Sequence, residues 1–475
     1  MSTSAAGQQT AGGGPAPSLL KPVEAAARMG AEQARELEAY TLGVQTVIWG
    51  MQRVKAGQTL RNMTVPLPAA ASAPPFDFSA HGVNVWGHAR ELITHELRVI
   101  ETPNTETLIS TAIVDLEGGP IVVVHPELGE RYFRTSVWEL GGATHTISQK
   151  QDGSHPAPYA LLPAGWEGSL PGGVKTIQMQ SRYVLLAPHI GVAGADDLVH
   201  ARAVQDGLRL VALADWDGSR QEAEPGRPMR PLRRPGTKTP SELLFFEELC
   251  ETLKDVTVPD DELGFARQAG SIGVTLADGF QVERLDQATI AGLTRAVPDA
   301  QSVLEHKAIA LMPVQPGGTW MVSLDLAGED DWLFRGAVGW KHVWGDLVEE
   351  LIVPFARVDE DGEALTGARR YTLRFAAGEQ PPARSWRISM YDLDGFFIDN
   401  PIRRYGIGTM GESPRVDADG SVTVRIQHDV PAEGEQANWL PAPEGGFFLA
   451  LRMYQPEERM AAGDYVVPPL RRDGA

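Results

Sequence analysis

The chain has 475 residues, 42 Lys and Arg against 62 Asp and Glu, a formal net charge of -20, 50 glycines, 35 prolines and one cysteine. That length fits roughly two or three globular units that bury their cores without disulfide staples, and a hydrophobic share of 43% excludes wholesale disorder. The acidic balance argues against a broad nucleic-acid-binding surface, and a lone Cys250 rules out an intramolecular disulfide framework and any Cys-cluster metal site.

Residues 1–21 read as a disordered tail. The opening Met1–Pro17 lacks the basic and apolar regions of a signal peptide. No run approaches 18 uninterrupted apolar residues, so a membrane span is not expected and the expected compartment is cytoplasmic. Residues 22–98 read as a helical lead-in. A helix covers Pro22 to Val54 with Gly57 as its stop, Pro66–Pro75 is a loop, and a second helix runs from Val85 to Leu97 with His88 and His95 as structural or surface histidines.

Residues 99–215 read as a β-sandwich domain. Short β-rich runs at Thr111–Asp115, Pro120–His125, Arg131–Val137 and Ala143–Gln149 are separated by Gly-containing turns, and a strand pair spans Lys175–Leu186. From Val199 to Leu213 the pattern is helical. The region 216–355 is a helical middle, with helices at Ser241–Leu253, Asp260–Ala269, Arg284–Ala291, Asp299–Leu311 and Asp330–Val353, the last stopped by Pro354. Residues 356–472 read as a second sandwich with strands at Arg369–Phe375, Ser385–Tyr391, Phe396–Ile398, Ser421–Gln427 and Gly446–Tyr454. The fold class is therefore α+β, mainly β: two antiparallel, jelly-roll-like sandwiches with helical additions.

Several motifs carry no chemistry. Gly406-Ile407-Gly408-Thr409-Met410-Gly411 spells GxGxxG, but Pro414 follows where a dinucleotide fold needs a helix. Cys250 sits in an apolar helical face as a small buried hydrophobe. The Asp-rich stretches at Asp215, Asp359, Asp392 and Asp417 read as hairpin turns, with calcium as the functional alternative.

Two segments carry a family resemblance. The first holds Pro103-Asn104-Thr105-Glu106-Thr107-Leu108-Ile109-Ser110, Asp115-Leu116, Gly119-Pro120 and Gly129-Glu130-Arg131-Tyr132-Phe133. The second holds Trp386, Tyr391-Asp392, Gly395-Phe396-Phe397, Asn400-Pro401, Arg404-Tyr405, Asn438-Trp439-Leu440-Pro441-Ala442-Pro443 and Leu451-Arg452-Met453-Tyr454. Together they resemble the paired domain-of-unknown-function families 1254 (N-terminal) and 1214 (C-terminal), over roughly residues 35–205 and 360–470. The resemblance implies two sandwich domains with helical additions; no general activity is established for the family. Where the family has Asn-Asp-Thr-Leu-Tyr, this chain has Thr105-Glu106-Thr107-Leu108-Ile109: the carboxylate is one methylene longer and the phenol is gone.

The expected catalytic group is Glu106 as acid or base, His145 as its partner, and Arg131 and Arg182 stabilising developing negative charge. Arg131 is alternatively a plain structural partner of Glu106. Period-2 alternation places His145 opposite Thr144 and Thr146, so one face of that strand is polar. Asn104, Thr107, Tyr132, Trp138, His189, Trp386, Arg404, Tyr405 and Trp439 are the expected substrate contacts, their rings and arginine suiting a sugar face or a carboxylate. The expected function is a cofactor-independent hydrolase or lyase acting on a small-molecule or oligosaccharide-like polar substrate. A non-catalytic binding or assembly protein and a metal-dependent jelly-roll enzyme are the alternatives. No metal ligands are assigned, a divalent metal stays open, and no nucleic acid or membrane partner is expected. Exposed sheet edges leave room for a homo-oligomer.

Overall fold

The computed structural model describes residues 29–64, 82–98, 100–216, 222–324, 326–327, 331–411 and 413–473. The expected N-terminal tail and the Pro66–Pro75 loop lie outside them. The first helix runs Ala31–Thr64, ten residues past the expected end. Gly57 does not stop it, because a Cβ there would stand 2.7 Å from Thr252 Oγ1: this glycine serves a close helix approach. Helix Ala31–Thr64 packs against helices Gln287–Ala310, Trp332–Lys341 and Leu244–Leu253, so the lead-in and the middle region share one apolar cluster. The two helices expected at 284–291 and 299–311 are one, Gln287–Ala310, which continues through Pro298.

The helix expected at Val85–Leu97 is absent. Its backbone pairs instead with a strand, Gly87 opposite Thr111 and His88 opposite Ser110, and the Ala89 amide bonds to the Ile109 carbonyl at 2.9 Å. Tertiary pairing overrides the local pattern there. After the helix Leu198–Asp206, Arg209–Ala212 is a strand. Phe396–Ile398 is irregular, and the helix expected to reach Val353 ends at Lys341.

The fold is α+β with mostly antiparallel sheets. A five-stranded antiparallel sheet runs in the order Gly87–His88, Thr107–Asp115, Tyr183–Gly191, Phe133–Glu139, Thr144–Ser148. A four-stranded sheet runs Lys175–Gln178, Tyr159–Leu162, Ile121–Val124, Arg209–Ala212, its first pair parallel. Ala112, Val114, Val137 and Leu186 of the first share one core with Ile121, Val123, Leu161 and Leu210 of the second.

In the C-terminal half, strands Trp320–Met321, Phe355–Ala356, Phe448–Pro456, Ala383–Tyr391 and Gly406–Gly408 are neighbours in that order, and Leu351–Ile352 also pairs with Phe448–Pro456. A four-stranded sheet of Trp439–Pro441, Val422–Gln427, Tyr371–Phe375 and Arg471–Arg472 shares its core. Leu449, Leu451 and Met453 point into that core. By alternation Phe448, Ala450, Arg452 and Tyr454 point the other way, yet they too are buried. That second buried face positions the site. The Asp359, Asp392 and Asp417 segments are tight turns, each with its own carboxylate accepting a nearby amide or hydroxyl. Gly406–Gly408 is a strand, so the GxGxxG run opens no helix.

Candidate functional site

A cavity of about 300 Å³ lies between the outward face of Phe448–Pro456 and one face of the N-terminal five-stranded sheet. Alternation along Phe133–Glu139 turns Arg134, Ser136 and Trp138 to this face, and pairing aligns Ile109, His189, Arg134 and Ser148 in one row across four strands. Arg134, Trp138, His189 and Ile109 line the cavity from one side, and Arg452 and Tyr454 from the other.

The segment after Lys341 lies across the polar face of the same sheet. Ser136 donates to Asp346 (2.9 Å), Thr144 to the Gly345 carbonyl (2.9 Å) and Ser148 to Glu350 (2.6 Å). Trp344 stacks on Trp138 at 5.5 Å and donates from its indole to the Glu139 carbonyl. Thus the polar strand face read from Thr144 and Thr146 exists, and this segment covers it. His342, Trp344, Gly345 and Asp346 complete the lining.

Arg134 is 2% exposed. Its Nη1 stands 3.1 Å from Asp346 Oδ2, but neither Nη1 nor Nε has a hydrogen-bond partner among the described residues. Burial opposes its charge, and Asp346, Tyr132 and Glu350 outweigh burial, so its pKa is raised and the guanidinium stays charged. A buried, charged donor left partly unpaired is costly and calls for an acceptor. The Trp138 indole N–H is likewise buried without a partner. Beside Arg134, burial and then the Arg134 charge push the His189 pKa down to about 4, so the imidazole is neutral. Its Nδ1 lies 3.1 Å from the Ala187 carbonyl, which fixes the proton on Nδ1 and leaves Nε2 as the basic nitrogen.

On the facing strand, Arg452 donates to the Tyr391 hydroxyl (2.6 Å) and to the Thr102 carbonyl. Tyr454 donates to Glu106 Oε1, and burial followed by that carboxylate raises its pKa well above the ordinary phenol value. Backbone strain gathers here. Among described non-glycine residues with positive φ, Thr102 (48°) lines the cavity, while Val343 (64°) and Gln455 (48°) adjoin lining residues. A β-branched residue in that region is held there by its surroundings, and such strain clusters at functional sites.

The expected catalytic quartet does not assemble. Glu106 is 1% exposed and bound by Tyr454 and the Thr105 amide, with Arg387 Nε at 3.5 Å: it sits one side chain behind the cavity wall. Arg131 is not its partner but forks onto Asp197 at 2.5 and 2.6 Å. Arg182 forks onto Asp115 and Glu117. His145 pairs with Glu139 at 3.1 Å, at the far end of its strand pair from His189.

Of the expected substrate contacts, Asn104, Trp138 and His189 line the cavity. Asn104 also organises the turn before the strand by accepting from the Thr107 amide and hydroxyl, which engages Thr107 structurally. Tyr132 is buried, its hydroxyl without a partner and its ring edge-on to Tyr454 at 5.0 Å. Trp386 is C-terminal core, and Trp439 is buried with its indole on the Gln427 carbonyl. Arg404 holds the carbonyls of Gln436, Ala437 and Trp439, and Tyr405 bonds His95 Nδ1 at 2.7 Å. These four lie away from the cavity.

Arg134, Asp346, Arg452 and Tyr454 were missed as site residues. Alternation offered a signal for two of them, since Arg452 and Tyr454 interleave with the apolar Leu451 and Met453. For Asp346 there was none.

The family described as Protein of unknown function (DUF1254) matches residues 83–212, and Protein of unknown function (DUF1214) matches residues 350–458. No curated protein matches the chain. The crystal structure of the VPA0106 protein from Vibrio parahaemolyticus is similar in fold, with a TM-score of 0.69 and 19% identity over 91% of this chain and 99% of that one. A putative uncharacterized protein from Burkholderia cenocepacia aligns over 91% of this chain and 98% of its own at 13% identity, with a TM-score of 0.38. By these matches and their order, the chain belongs to the proteins that carry DUF1254 at the N-terminal side and DUF1214 at the C-terminal side.

Proposed function

We propose that the cavity binds a small carboxylated or hydroxylated molecule, and that the protein is a cofactor-independent hydrolase or lyase working by general acid–base chemistry at that site. In this reading each pair of sheets with a common core is a jelly-roll-like sandwich, and the cavity is walled by residues of 99–215, by Arg452 and Tyr454 of 356–472, and by residues of 312–355. The carrying observation is Arg134, a buried and charged guanidinium that lines the cavity beside Asp346 and whose Nε and Nη1 make no hydrogen bond among the described residues. An oxyanion accepting from it would supply hydrogen bonds that Asp346 does not make. His189, neutral with its basic Nε2, is the general base in this reading, and Asp346 holds Arg134 in place. A volume of about 300 Å³ favours a small substrate over an oligomer, because it lies at the lower end for small-molecule sites.

The test compares a panel of small carboxylates with their neutral amides by isothermal titration, followed by turnover assays on carboxylated esters and β-hydroxy acids. Wild type binds carboxylates and not amides, Arg134→Gln loses that binding, and His189→Asn keeps binding but loses turnover. Carboxylates and amides binding equally would overturn the assignment of Arg134. A second reading, a non-catalytic ligand-binding protein, is favoured by the separate structural engagements of Glu106, Arg131, Arg182 and His145. It expects carboxylate binding with no turnover of any substrate and no change in His189→Asn.

A further inference from the structure

We infer that the ligand is a monocarboxylic acid with an apolar body, aliphatic or aromatic, whose carboxylate meets Arg134 and whose body extends toward Ile109, Val353 and Phe355; this rests on the reading of the cavity as an anion-binding site. The register supplies the axis. Ile109, His189 and Arg134 are neighbours in one row across the sheet, so the polar end at Arg134 and the apolar end at Ile109 are two strand spacings apart, roughly 10 Å. At the Ile109 end the wall is apolar: Ile109, Val353 and Phe355 pack together with the cluster of Ile93, Tyr391 and Phe448. All of Ile93, Ile109, Val353 and Phe355 line the cavity.

The charged groups at the other walls are already engaged. Arg452 is held by the Tyr391 hydroxyl and the Thr102 carbonyl, and Tyr454 by Glu106. Arg134, paired with Asp346 at 3.1 Å, is the lining arginine whose Nε and Nη1 make no hydrogen bond among the described residues. With Asp346 beside it the site suits one carboxylate rather than a dicarboxylate. A polyhydroxylated body would leave its hydroxyls against Ile109, Val353 and Phe355 without partners, which weakens binding. The volume of about 300 Å³ lies at the lower end for small-molecule sites and limits the ligand to a small acid. Six- to eight-carbon acids fit those limits.

The experiment titrates the full-length protein with acetate, hexanoate, octanoate, benzoate, gluconate and hexanamide, and repeats the series on Arg134→Lys, Arg134→Gln and Val353→Thr. Val353→Thr preserves shape and puts a hydroxyl at the apolar end, and circular dichroism checks the fold of each variant. The expected result is hexanoate or benzoate binding at least tenfold tighter than acetate, with hexanamide and gluconate not binding. Val353→Thr then weakens hexanoate about threefold or more and leaves acetate unchanged. Gluconate or acetate binding as tightly as hexanoate would overturn the apolar body while leaving the anion site standing. If hexanamide matches hexanoate, or no acid binds the folded wild type, the anion-site reading fails and this inference fails with it. Should Arg134→Gln not fold, Arg134→Lys carries the same comparison, because a lysine keeps the charge but loses the planar fork.

Discussion

The bond between Tyr454 and Glu106 joins the C-terminal sheet to the turn that opens the N-terminal sheet, and a double-mutant cycle measures its worth. Tyr454→Phe removes the hydroxyl and leaves Glu106, 1% exposed, with Oε1 unpaired. Glu106→Ala removes the acceptor and also frees the Thr105 amide, which bonds Oε2 at 2.8 Å. That second loss appears equally in the single and the double variant, so it cancels, and so does the change at Arg387. What remains is a hydrogen bond between a buried phenol and a carboxylate, worth about 1.5–3 kcal/mol. The expected coupling is therefore of that size, read from urea unfolding followed by circular dichroism, with Tyr454→Phe alone costing about 2 kcal/mol. Because the partners stand on different sheets, the coupling also requires that the two halves unfold together. Effects that add to within about 0.5 kcal/mol would refute the reasoning, since distant, independent sites behave that way.

Four further outcomes are expected. Glu262 is buried against Arg53 (2.6 Å) and Arg335 (2.5 Å); burial raises its pKa, the two arginines outweigh burial, and the net direction is down. Its ionisation therefore stabilises the fold above the unfolded carboxylate pKa and is lost as pH falls through the lower folded value, so wild type loses stability below about pH 4 and Glu262→Gln shows a flatter acid limb in denaturation against pH. Glu262→Ala, which strands Arg53, costs about 3–5 kcal/mol by the same measurement. His189 is held at about 4 by burial and Arg134, so between the ordinary imidazole range and pH 4 the unfolded chain binds the extra proton and stability falls on acidification. His189→Asn removes part of that slope in a thermal-unfolding pH series, and an unchanged slope would contradict the assignment. Cys250 is buried, and burial pushes its thiol pKa up to about 12, so it resists alkylation in the native protein and reacts only after unfolding, as a thiol-reagent titration reads directly. A Cβ on Gly292 would collide with the Glu36 carbonyl of helix Ala31–Thr64, so Gly292→Ala costs about 1–3 kcal/mol of overpacking in urea unfolding, whereas an unchanged midpoint would mean the helices can part.

What the sequence made legible was set by local pattern. Alternation located the strands at 107–115, 133–139, 144–148, 422–427 and 448–456 to within a few residues, and it separated His145 from Thr144 and Thr146. Long-range packing defeated the rest. Gly57 read as a helix stop and residues 292–298 fell between two expected helices, but both lie within helices held by their neighbours. The segment 342–350 carries an apolar helical pattern, and a helix there would lose its bonds to Ser136, Thr144 and Ser148. The Pro103–Ser110 motif pointed correctly to a dense polar turn. Its carboxylate is nonetheless structural: Asn104 closes the turn while also lining the cavity, and Glu106 finds Tyr454, 348 positions away in the chain.

That separation explains why Glu106 and the cavity are adjacent but distinct. A strand with one buried face can be read from alternation, because its second face is polar and wet. Phe448–Pro456 is buried on both faces, and its second face alternates between apolar Phe448 and Ala450 and polar Arg452 and Tyr454. Polar groups on a buried face must each find a partner. Arg452 and Tyr454 take theirs from the 102–106 turn, so the polar turn anchors one half of the molecule to the other. Arg134, on the opposing sheet, pairs with Asp346 at 3.1 Å, and its Nε and Nη1 make no hydrogen bond among the described residues. The seam is thus satisfied along the turn and left open at Arg134. An interface built for stability alone would have closed that gap with a second acceptor or replaced the arginine by an apolar side chain, at little or no cost in stability. A charged donor with hydrogen bonds left unmade, beside a neutral imidazole, is the arrangement that would gain from a ligand supplying further oxygens.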